Sequence, residues 1–205
     1  PGELYRGRLN RPLFQPYIAL IEQRMETHEL EAAKDYRLEK LQGNDLYLTP
    51  ADARAGAAMD LSWRKLTGRE CGDPQTLNHK GRSVLVPQAE RGVARFSFAD
   101  LCEAPLGPLD YQRIAHTYHT LMVEEIPVLG PEQRNAARRL ITLIDVLYDN
   151  GVGLIASAEA EPHALYPEGD GAETFARTAS RLMEMRSEAY LRQRPRRASD
   201  ARKPA

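Results

Sequence analysis

The alternation of strand and helix patterns after residue 90 most constrains how this chain can fold. Three short runs of β-branched and apolar residues, near Arg95–Phe98, Leu121–Val123 and Val152–Ser157, are separated by helical patterns. A helix between two strands returns the chain to the edge of the sheet where it started, so strands connected in this way pair in parallel. The sequence therefore predicts an α/β fold with a short parallel sheet flanked by helices.

The clearest helix is predicted from Pro131 to Tyr148, before Gly151. Its apolar residues recur at intervals of three and four, which places them on one face. They are Ala137, Leu140, Ile141, Ile144 and Leu147. A shorter helix is predicted at Leu109–Thr117 and a third from Gly171 to Leu191. The residues of the third helix that we expect to face inward are Phe175, Leu182, Met185 and Ala189.

The region between residues 75 and 101 is predicted to form a β-hairpin. Its β-branched and aromatic residues are interrupted at Gly81 and Gly92, which is typical of paired strands joined by turns.

Two further helices and one strand are predicted before this hairpin. Helical spacing of apolar residues indicates a helix over Phe14–Met25, and a brief strand is expected at Leu46–Leu48. A second helix should begin with Thr49 as N-cap and Pro50 at its first position, and it should end near Gly68.

Composition limits the function classes. Lys and Arg (28) nearly balance Asp and Glu (29), so the body of the chain gives no general electrostatic argument for binding nucleic acid. Cys71 and Cys102 are the only cysteines. Two are too few for a disulfide framework or a Cys-based zinc site, and they favour a reducing compartment. No apolar run approaches the roughly 20 residues of a membrane-spanning helix.

The last residues, 192–205, carry six basic side chains, one acid and no apolar stripe. We predict a disordered basic tail. Such a tail could contact nucleic acid or an acidic lipid surface, the latter giving peripheral membrane association, although most tails of this kind are only solvated ends.

Ligands of an open parallel sheet bind at the carboxyl ends of its strands. This sequence places Cys102–Gly107 and Ser157–Pro162 at those ends. Neither segment is a phosphate loop of the form G-x-x-x-x-G-K-[ST], because none of the 14 glycines is followed by lysine. No Asp-Glu pair follows a strand either, and the nearest approach is Glu124-Glu125 after Val123.

Several reactive side chains have both a functional and a structural interpretation. Cys102 could be a thiolate nucleophile, but no histidine near it in sequence would activate it, so burial is the favoured interpretation. His116 and His119, three residues apart, could share a metal ion. No third ligand has a fixed spacing, which favours polar residues at a helix end.

Two groups of arginines share helix faces. Each could contact phosphate or an interface, since the guanidinium fork suits phosphate. The favoured interpretation is surface ion pairing, for example of Arg181 with Glu184 or Glu188. The two groups are Arg134, Arg138 and Arg139 on one helix and Arg177 and Arg181 on another.

Another basic group, Arg6, Arg8 and Arg11, lies in a loop directly before a predicted helix. It could be a solvated loop, or it could supply an arginine finger that reaches a phosphate on a neighbouring subunit. Residue types alone leave both interpretations open.

Five blocks of sequence, in this order, resemble the AFG-one-like ATPases, whose bacterial members are cell-division ATPases of the ZapE type. The blocks are LYRGRLNRPLFQPYIALI, DYRL, ARFSFADLCEAPLGPLDYQRIA, RNAARRLITLIDVLYDNG and TFARTASRLMEMRSEAYL. The resemblance extends from Pro1 to about Leu191 and implies the C-terminal part of an AAA+-like P-loop NTPase. The Walker motifs of the family lie in its N-terminal half, so the resemblance implies that ATP and Mg²⁺ are held in the intact protein by residues outside this chain.

The same resemblance implies a domain organisation and a catalytic residue. Residues 1–70 would end the AAA+-like ATPase domain with an arginine-finger loop and lid-like helices, and residues 71–191 would form a C-terminal α/β domain. Arg11 matches the finger position, with Arg8 as the alternative. In a homo-oligomer the finger would stabilise charge on the γ-phosphate of ATP held by the adjacent subunit.

The resemblance further implies a bacterial cytoplasmic setting and protein partners, FtsZ in the case of ZapE-type members. A non-enzymatic alternative stays open. As it stands, the chain could be a non-catalytic adaptor that binds a protein through its α/β face or its basic tail.

Overall fold

The structure, a computed structural model, describes residues 46–79 and 81–193, together with Pro16 and Leu20, which are both helical. The rest of the helix predicted over Phe14–Met25 and the basic tail lie outside the described residues. Contacts divide the chain into two compact units, Pro1–Asp35 and Tyr36–Ala205. The architecture below is that of the second unit.

The described part of this unit contains six strands and five α-helices. The strands are β1 (Tyr47–Leu48), β2 (Asp73–His79), β3 (Arg82–Glu90), β4 (Val93–Ser97), β5 (Thr120–Ile126) and β6 (Gly153–Ala158). The helices are α1 (Ala53–Thr67), α2 (Pro108–Thr117), α3 (Arg134–Asp149), α4 (Ala172–Met185) and α5 (Glu188–Gln193).

All six strands form one mixed sheet in the order β1-β6-β5-β4-β3-β2. The four strands β1, β6, β5 and β4 are parallel, and β3 and β2 continue the sheet as an antiparallel ribbon. The predicted α/β class, the parallel strands and the hairpin are therefore confirmed. The turn between β3 and β4 has positive φ at both Arg91 and Gly92, as a two-residue hairpin turn requires.

Helices cover the parallel strands on both faces. On one face lies α1, whose Met59 and Trp63 are fully buried. On the other face α2, α3 and α4 pack side by side. Every residue of β6 is buried as a result, which explains its continuous apolar run. The apolar face predicted for α3 is confirmed, with Ala137, Leu140, Ile144 and Leu147 at 0–1% exposure.

The strand β1 joins this sheet beside β6, with Tyr47 paired to Ala156 and Leu48 to Ser157. The sequence-based organisation put a boundary after residue 70, whereas here β1 and α1 belong to the same compact unit as the following strands. A two-residue strand has no periodicity from which its partner can be read.

The start of α1 differs from the prediction. The N-cap is Asp52, not Thr49, and its carboxylate accepts hydrogen bonds from the backbone N–H groups of Arg54 and Ala55. Aspartate is among the strongest N-cap residues because it satisfies helix donors that lack a partner. The predicted end is correct, since Gly68 caps the helix with φ +77°.

The predicted helix from Gly171 to Leu191 is two helices. Arg186 and Ser187 separate them, and the Ser187 hydroxyl oxygen accepts a hydrogen bond from the N–H of Tyr190 in the first turn of α5. This break changes the helical phase, so Tyr190 and Leu191 are buried and Ala189 is exposed, contrary to the prediction. No helix within the described ranges is both long and apolar enough to cross a membrane.

Candidate functional site

The carboxyl ends of the parallel strands are where a sheet of this kind binds ligands. Strand β4 ends at Ser97, β5 at Ile126 and β6 at Ala158, so their connections leave from one edge of the sheet. We call this edge, with the connections 98–107, 127–130 and 159–164, the carboxyl edge. The segments Cys102–Gly107 and Ser157–Pro162 lie there, as predicted.

The connection after β4 begins with a local capping arrangement. The N–H and hydroxyl of Ser97 both donate to the Asp100 carboxylate, at 2.9 and 2.6 Å, and the Asp100 N–H donates back to the Ser97 hydroxyl oxygen. A single π-helical turn, Ala99–Glu103, follows. Its side chains Leu101 and Cys102 are 0% exposed. A phosphate loop keeps this position open with glycine, so that backbone N–H groups can face the anion.

Buried donors hold the carbonyl groups of this turn. The Tyr111 hydroxyl donates to the Leu101 carbonyl at 2.8 Å, and an Arg139 guanidinium N–H donates to the Cys102 carbonyl at 2.9 Å. Arg139, one of the arginines considered for phosphate binding, therefore stabilises a loop of its own chain. Its guanidinium donates this hydrogen bond to a neutral acceptor.

The second half of the same connection is held by Asp110. Its carboxylate accepts a hydrogen bond from the Gly107 N–H at 2.9 Å and is paired with Arg82, which approaches it at 2.9 and 3.2 Å. Arg82 also donates to the Pro105 carbonyl. Asp110 is only 5% exposed, so its charge is satisfied by these partners. Sequence reasoning missed this pair, whose members are 28 residues apart.

The thiol of Cys102 is not poised for nucleophilic chemistry. Burial raises its pKa, and the nearby Arg139 charge offsets this only in part. A nucleophilic cysteine needs the opposite shift, because the thiolate is the reactive form. The structure thus supports the structural interpretation of Cys102.

An ion-paired triad crosses the α1 face of the sheet. The Arg95 guanidinium contacts both Glu124 carboxylate oxygens, at 2.6 and 2.7 Å, and lies 2.7 Å from an Asp60 oxygen. Its side chain is 10% exposed. The hydrogen bond to Glu124, more than that to Asp60, raises the pKa of Arg95, and burial opposes the shift. The triad joins α1, β4 and β5. In the sequence, the one feature that pointed to this triad was the single charged residue Arg95 between Ala94 and Phe96, which are both buried.

Strand β5 ends irregularly at the two glutamates. Glu125 has φ +59°, and the register with β6 shifts between Val123 and Ile126. The Glu125 N–H donates to the hydroxyl of Ser157, which is 3% exposed. Glu124 is already paired with Arg95. These carboxylates therefore do not form the magnesium site that an Asp-Glu pair provides in a P-loop enzyme.

The remaining arginines pair mainly across helices. Arg177 and Arg181 of α4 both contact Asp145 of α3, at 2.7 and 2.6 Å, and Arg181 also lies 4.6 Å from the centre of the Tyr148 ring. Ion pairing of Arg177 and Arg181 is confirmed, and Asp145 is a partner that the sequence did not indicate, because it becomes available only when α4 packs against α3. Arg138 is paired with Asp170 at 2.6 Å.

The two histidines have different surroundings. His119 contacts the Arg91 carbonyl and the Thr120 hydroxyl, whereas His116 lies exposed in the last turn of α2. Within residues 46–79 and 81–193, no three His, Cys, Asp or Glu side chains are arranged to hold a metal. The finger candidates Arg8 and Arg11 lie outside the described residues, so their assignment stays a prediction.

The described carboxyl edge therefore lacks the parts that hold ATP and Mg²⁺. Its first connection is filled by side chains, and the carboxylates of Asp100, Asp110 and Glu159 accept hydrogen bonds within the fold. The described region is an α/β unit whose parallel strands are covered by helices on both faces.

Comparison with known proteins places this unit in a family. The AFG1-like ATPase family matches residues 1–194, so the chain belongs to that family. The Escherichia coli cell division protein ZapE is 35% identical over 193 residues, which cover 94% of this chain and 51% of ZapE. The resemblance identified from the five sequence blocks is confirmed.

Two eukaryotic proteins are also similar. An uncharacterised protein of Schizosaccharomyces pombe is 35% identical, with 82% of this chain and 37% of the relative covered. Lactation elevated protein 1 homolog B of Danio rerio is 29% identical, with 93% and 45% covered. The chain thus spans about half the length, or less, of the curated relatives it matches. No solved structure shows significant similarity to it.

Proposed function

We propose that this chain is the C-terminal part of an ATP-hydrolysing, AAA+-like protein of cell division, and that it contributes an arginine finger and a protein-binding α/β unit to it. The observation that carries the proposal is the family match over residues 1–194 of a chain without a phosphate loop. ATP and Mg²⁺ would then be held by the other part of the intact protein. The filled connection after β4 supports this division of roles.

In this proposal Arg11 contacts the γ-phosphate of ATP held by a neighbouring subunit, with Arg8 as the alternative. An arginine in this role stabilises the charge that develops during phosphoryl transfer. It acts on turnover much more than on binding, since the charge grows only towards the transition state. The intact protein would be a cytoplasmic homo-oligomer, and FtsZ is the protein partner that the resemblance to bacterial members implies.

The test uses the intact protein with Arg11→Ala, and with Arg6→Ala as a matched control in the same loop. We expect Arg11→Ala to lower ATP turnover on the order of 10³-fold, while the affinity for a fluorescent nucleotide changes little. Arg6→Ala should leave both quantities near those of the unaltered protein. Equal loss of turnover and affinity, or no loss of either, would reject Arg11, and the same measurements on Arg8→Ala would then test the alternative.

A mixing experiment tests whether the finger acts between subunits. Arg11→Ala subunits are combined with subunits whose phosphate-loop lysine is replaced. If the finger serves a neighbour, mixed oligomers contain some complete sites and regain activity that neither variant has alone. Mixtures no more active than their components would place the finger in its own subunit or rule it out.

The described unit also favours a second function, that of a non-catalytic binding module, because its carboxyl edge is closed by its own side chains. For the 205-residue chain alone, this predicts no binding of fluorescent ATP analogues. Saturable binding to the isolated chain would contradict both the module and the division of roles proposed above.

A further inference from the structure

The outer edge of β2 is one end of the six-stranded sheet. This strand is last in the sheet order, and among residues 46–79 and 81–193 nothing pairs with its outer side. It is seven residues long, whereas β1 at the opposite edge has two. Backbone groups on such an edge can pair with another strand.

The hairpin turn determines which backbone groups of β2 face outward. His79 and Arg82 pair across a two-residue turn, and residues in that position exchange both backbone hydrogen bonds. Hydrogen-bonding direction alternates along a strand, so Leu77 is also bonded to β3. Thr76 and Asn78 therefore direct their N–H and C=O groups away from the sheet.

Few protective features guard this edge. Proline, charged side chains and bulges usually prevent strand edges from pairing. Here Pro74 and a bulge between Asp73 and Gln75 protect only the beginning of the strand, and residues 75–78 carry no charge. Opposite Thr76 on β3 lies Leu85, which is 64% exposed, so the solvent face of the ribbon is partly apolar.

We propose that β2 pairs antiparallel with β2 of a second copy of the chain, about a two-fold axis at Leu77. In this register Thr76 of each copy opposes Asn78 of the other, and their outward groups form four backbone hydrogen bonds. The two Leu77 residues are then directly opposite each other at a non-hydrogen-bonded position. Their side chains are only 8% exposed and belong to the core of each copy, so the backbone hydrogen bonds carry the pairing.

The sequence of β2 favours this register and this occupant. A register centred on Thr76 would oppose Asn78 to Pro74, which has no N–H, and would leave the Asn78 carbonyl unpaired. The Leu77-centred register pairs all outward groups of Thr76 and Asn78 and places no like charges opposite each other. It is therefore self-complementary, as a two-fold interface requires.

The interface is small, so the dimer should be weak. One strand pair with its flanking side chains buries less than the roughly 1,600 Å² of a standard interface. We expect a dissociation constant on the order of 10–100 µM. This pairing is independent of the proposed ATPase function and of any ring formed by it.

Sedimentation of the full chain over a concentration series tests the proposal. Thr76→Pro removes an outward N–H without removing a hydrogen bond to β3, and proline is tolerated on the outer side of an edge strand. Thr76→Val is the matched control, since it keeps the N–H. The unaltered chain and Thr76→Val should dimerise with similar constants, and Thr76→Pro should dimerise at least about tenfold more weakly.

Amide hydrogen exchange resolved by residue gives a second readout that needs no substitution. The amides of Thr76 and Asn78 should exchange slowly in concentrated solution and rapidly on dilution, while the Leu77 amide stays protected in both. The proposal would be overturned if the chain were monomeric at millimolar concentration. It would also be overturned if Thr76→Pro left the dimerisation constant unchanged. Protection of Thr76 and Asn78 at every dilution would also overturn it, because another segment of the same chain would then cover the edge.

Discussion

The carboxyl edge of the parallel strands and the outer edge of the β2–β3 ribbon differ in how their polar groups are used. At the carboxyl edge the carbonyls of Leu101 and Cys102 are bonded to side chains of α2 and α3, and the Asp110 carboxylate is paired with Arg82. At the ribbon, the outward groups of Thr76 and Asn78 have no partner in the described ranges.

This difference reverses the usual expectation for an α/β sheet, in which the carboxyl edge binds and the strand edges are protected. A buried polar group is costly without a partner, so a closed layer of helices on both faces forces the fold to satisfy its own polar groups. The ribbon is covered on one face only, since Leu77, Val84 and Val86 are buried whereas Leu85 is 64% exposed. We expect binding at the ribbon and stability at the carboxyl edge.

The strongest test of this contrast compares two leucines of the same size. Leu101 in the π-helical turn is fully buried, and Leu85 on the ribbon is 64% exposed. Leu101→Ala should lower the free energy of unfolding by about 2–5 kcal/mol. Leu85→Ala should change it by less than about 0.5 kcal/mol. Both free energies are measured by urea unfolding of dilute protein. If the two variants lose similar amounts of stability, the turn must have moved to fill the space left by the Leu101 side chain.

The next largest effect should come from the triad. Arg95→Met leaves the partly buried Glu124 without its partner, and we expect a loss of about 2–4 kcal/mol in the free energy of unfolding. The control Arg177→Met removes an exposed ion-pair partner and should cost no more than about 1 kcal/mol. Adding Glu124→Leu to Arg95→Met should recover at least half of the loss. If it recovers none, packing rather than the unpaired carboxylate accounts for the cost.

The smallest effect is a dependence of stability on pH from Cys102. Burial raises the pKa of its thiol, so above about pH 8.5 an unfolded cysteine releases a proton that the folded protein retains. Stability from this group is therefore full below that pH and decreases above it, by at most about 1.4 kcal/mol per pH unit.

The measurement compares Cys71→Ala with the double variant Cys71→Ala/Cys102→Ala, so that Cys102 is the only thiol that differs. Unfolding free energies between pH 8 and 10 should fall more steeply in the single variant. Parallel curves would show that the Cys102 thiol does not titrate differently in the folded and unfolded states.

Much of the fold could be predicted where the signal is local. The helix α3, the hairpin and the parallel direction of β4, β5 and β6 follow from local patterns, and Gly68 and Gly92 mark positions of positive φ. Predictions failed where two local signals competed. Thr49 and Asp52 could both cap α1, and the helical spacing after Gly171 continued past the break at Ser187.

The candidate site was less predictable than the fold. Residue types indicated that Cys102 is structural and that Arg177 and Arg181 form ion pairs, but the choice of Asp145 as their partner depends on how α4 packs on α3. Arg8 and Arg11, on which the catalytic proposal rests, remain predictions from family resemblance.

The sequence by itself determined the α/β class, the absence of a phosphate loop in this chain and its family. Each of these properties depends on short, contiguous stretches of residues. Only the tertiary structure decided that β1 joins β6, that Arg95 links Asp60 to Glu124, and that Leu101 and Cys102 fill the first connection. Those outcomes join residues distant in sequence, 35 positions apart for Asp60 and Arg95 and 109 for Tyr47 and Ala156. The periodicity of a segment reports the conformation and buried face of that segment, whereas its partner depends on how all the layers pack together.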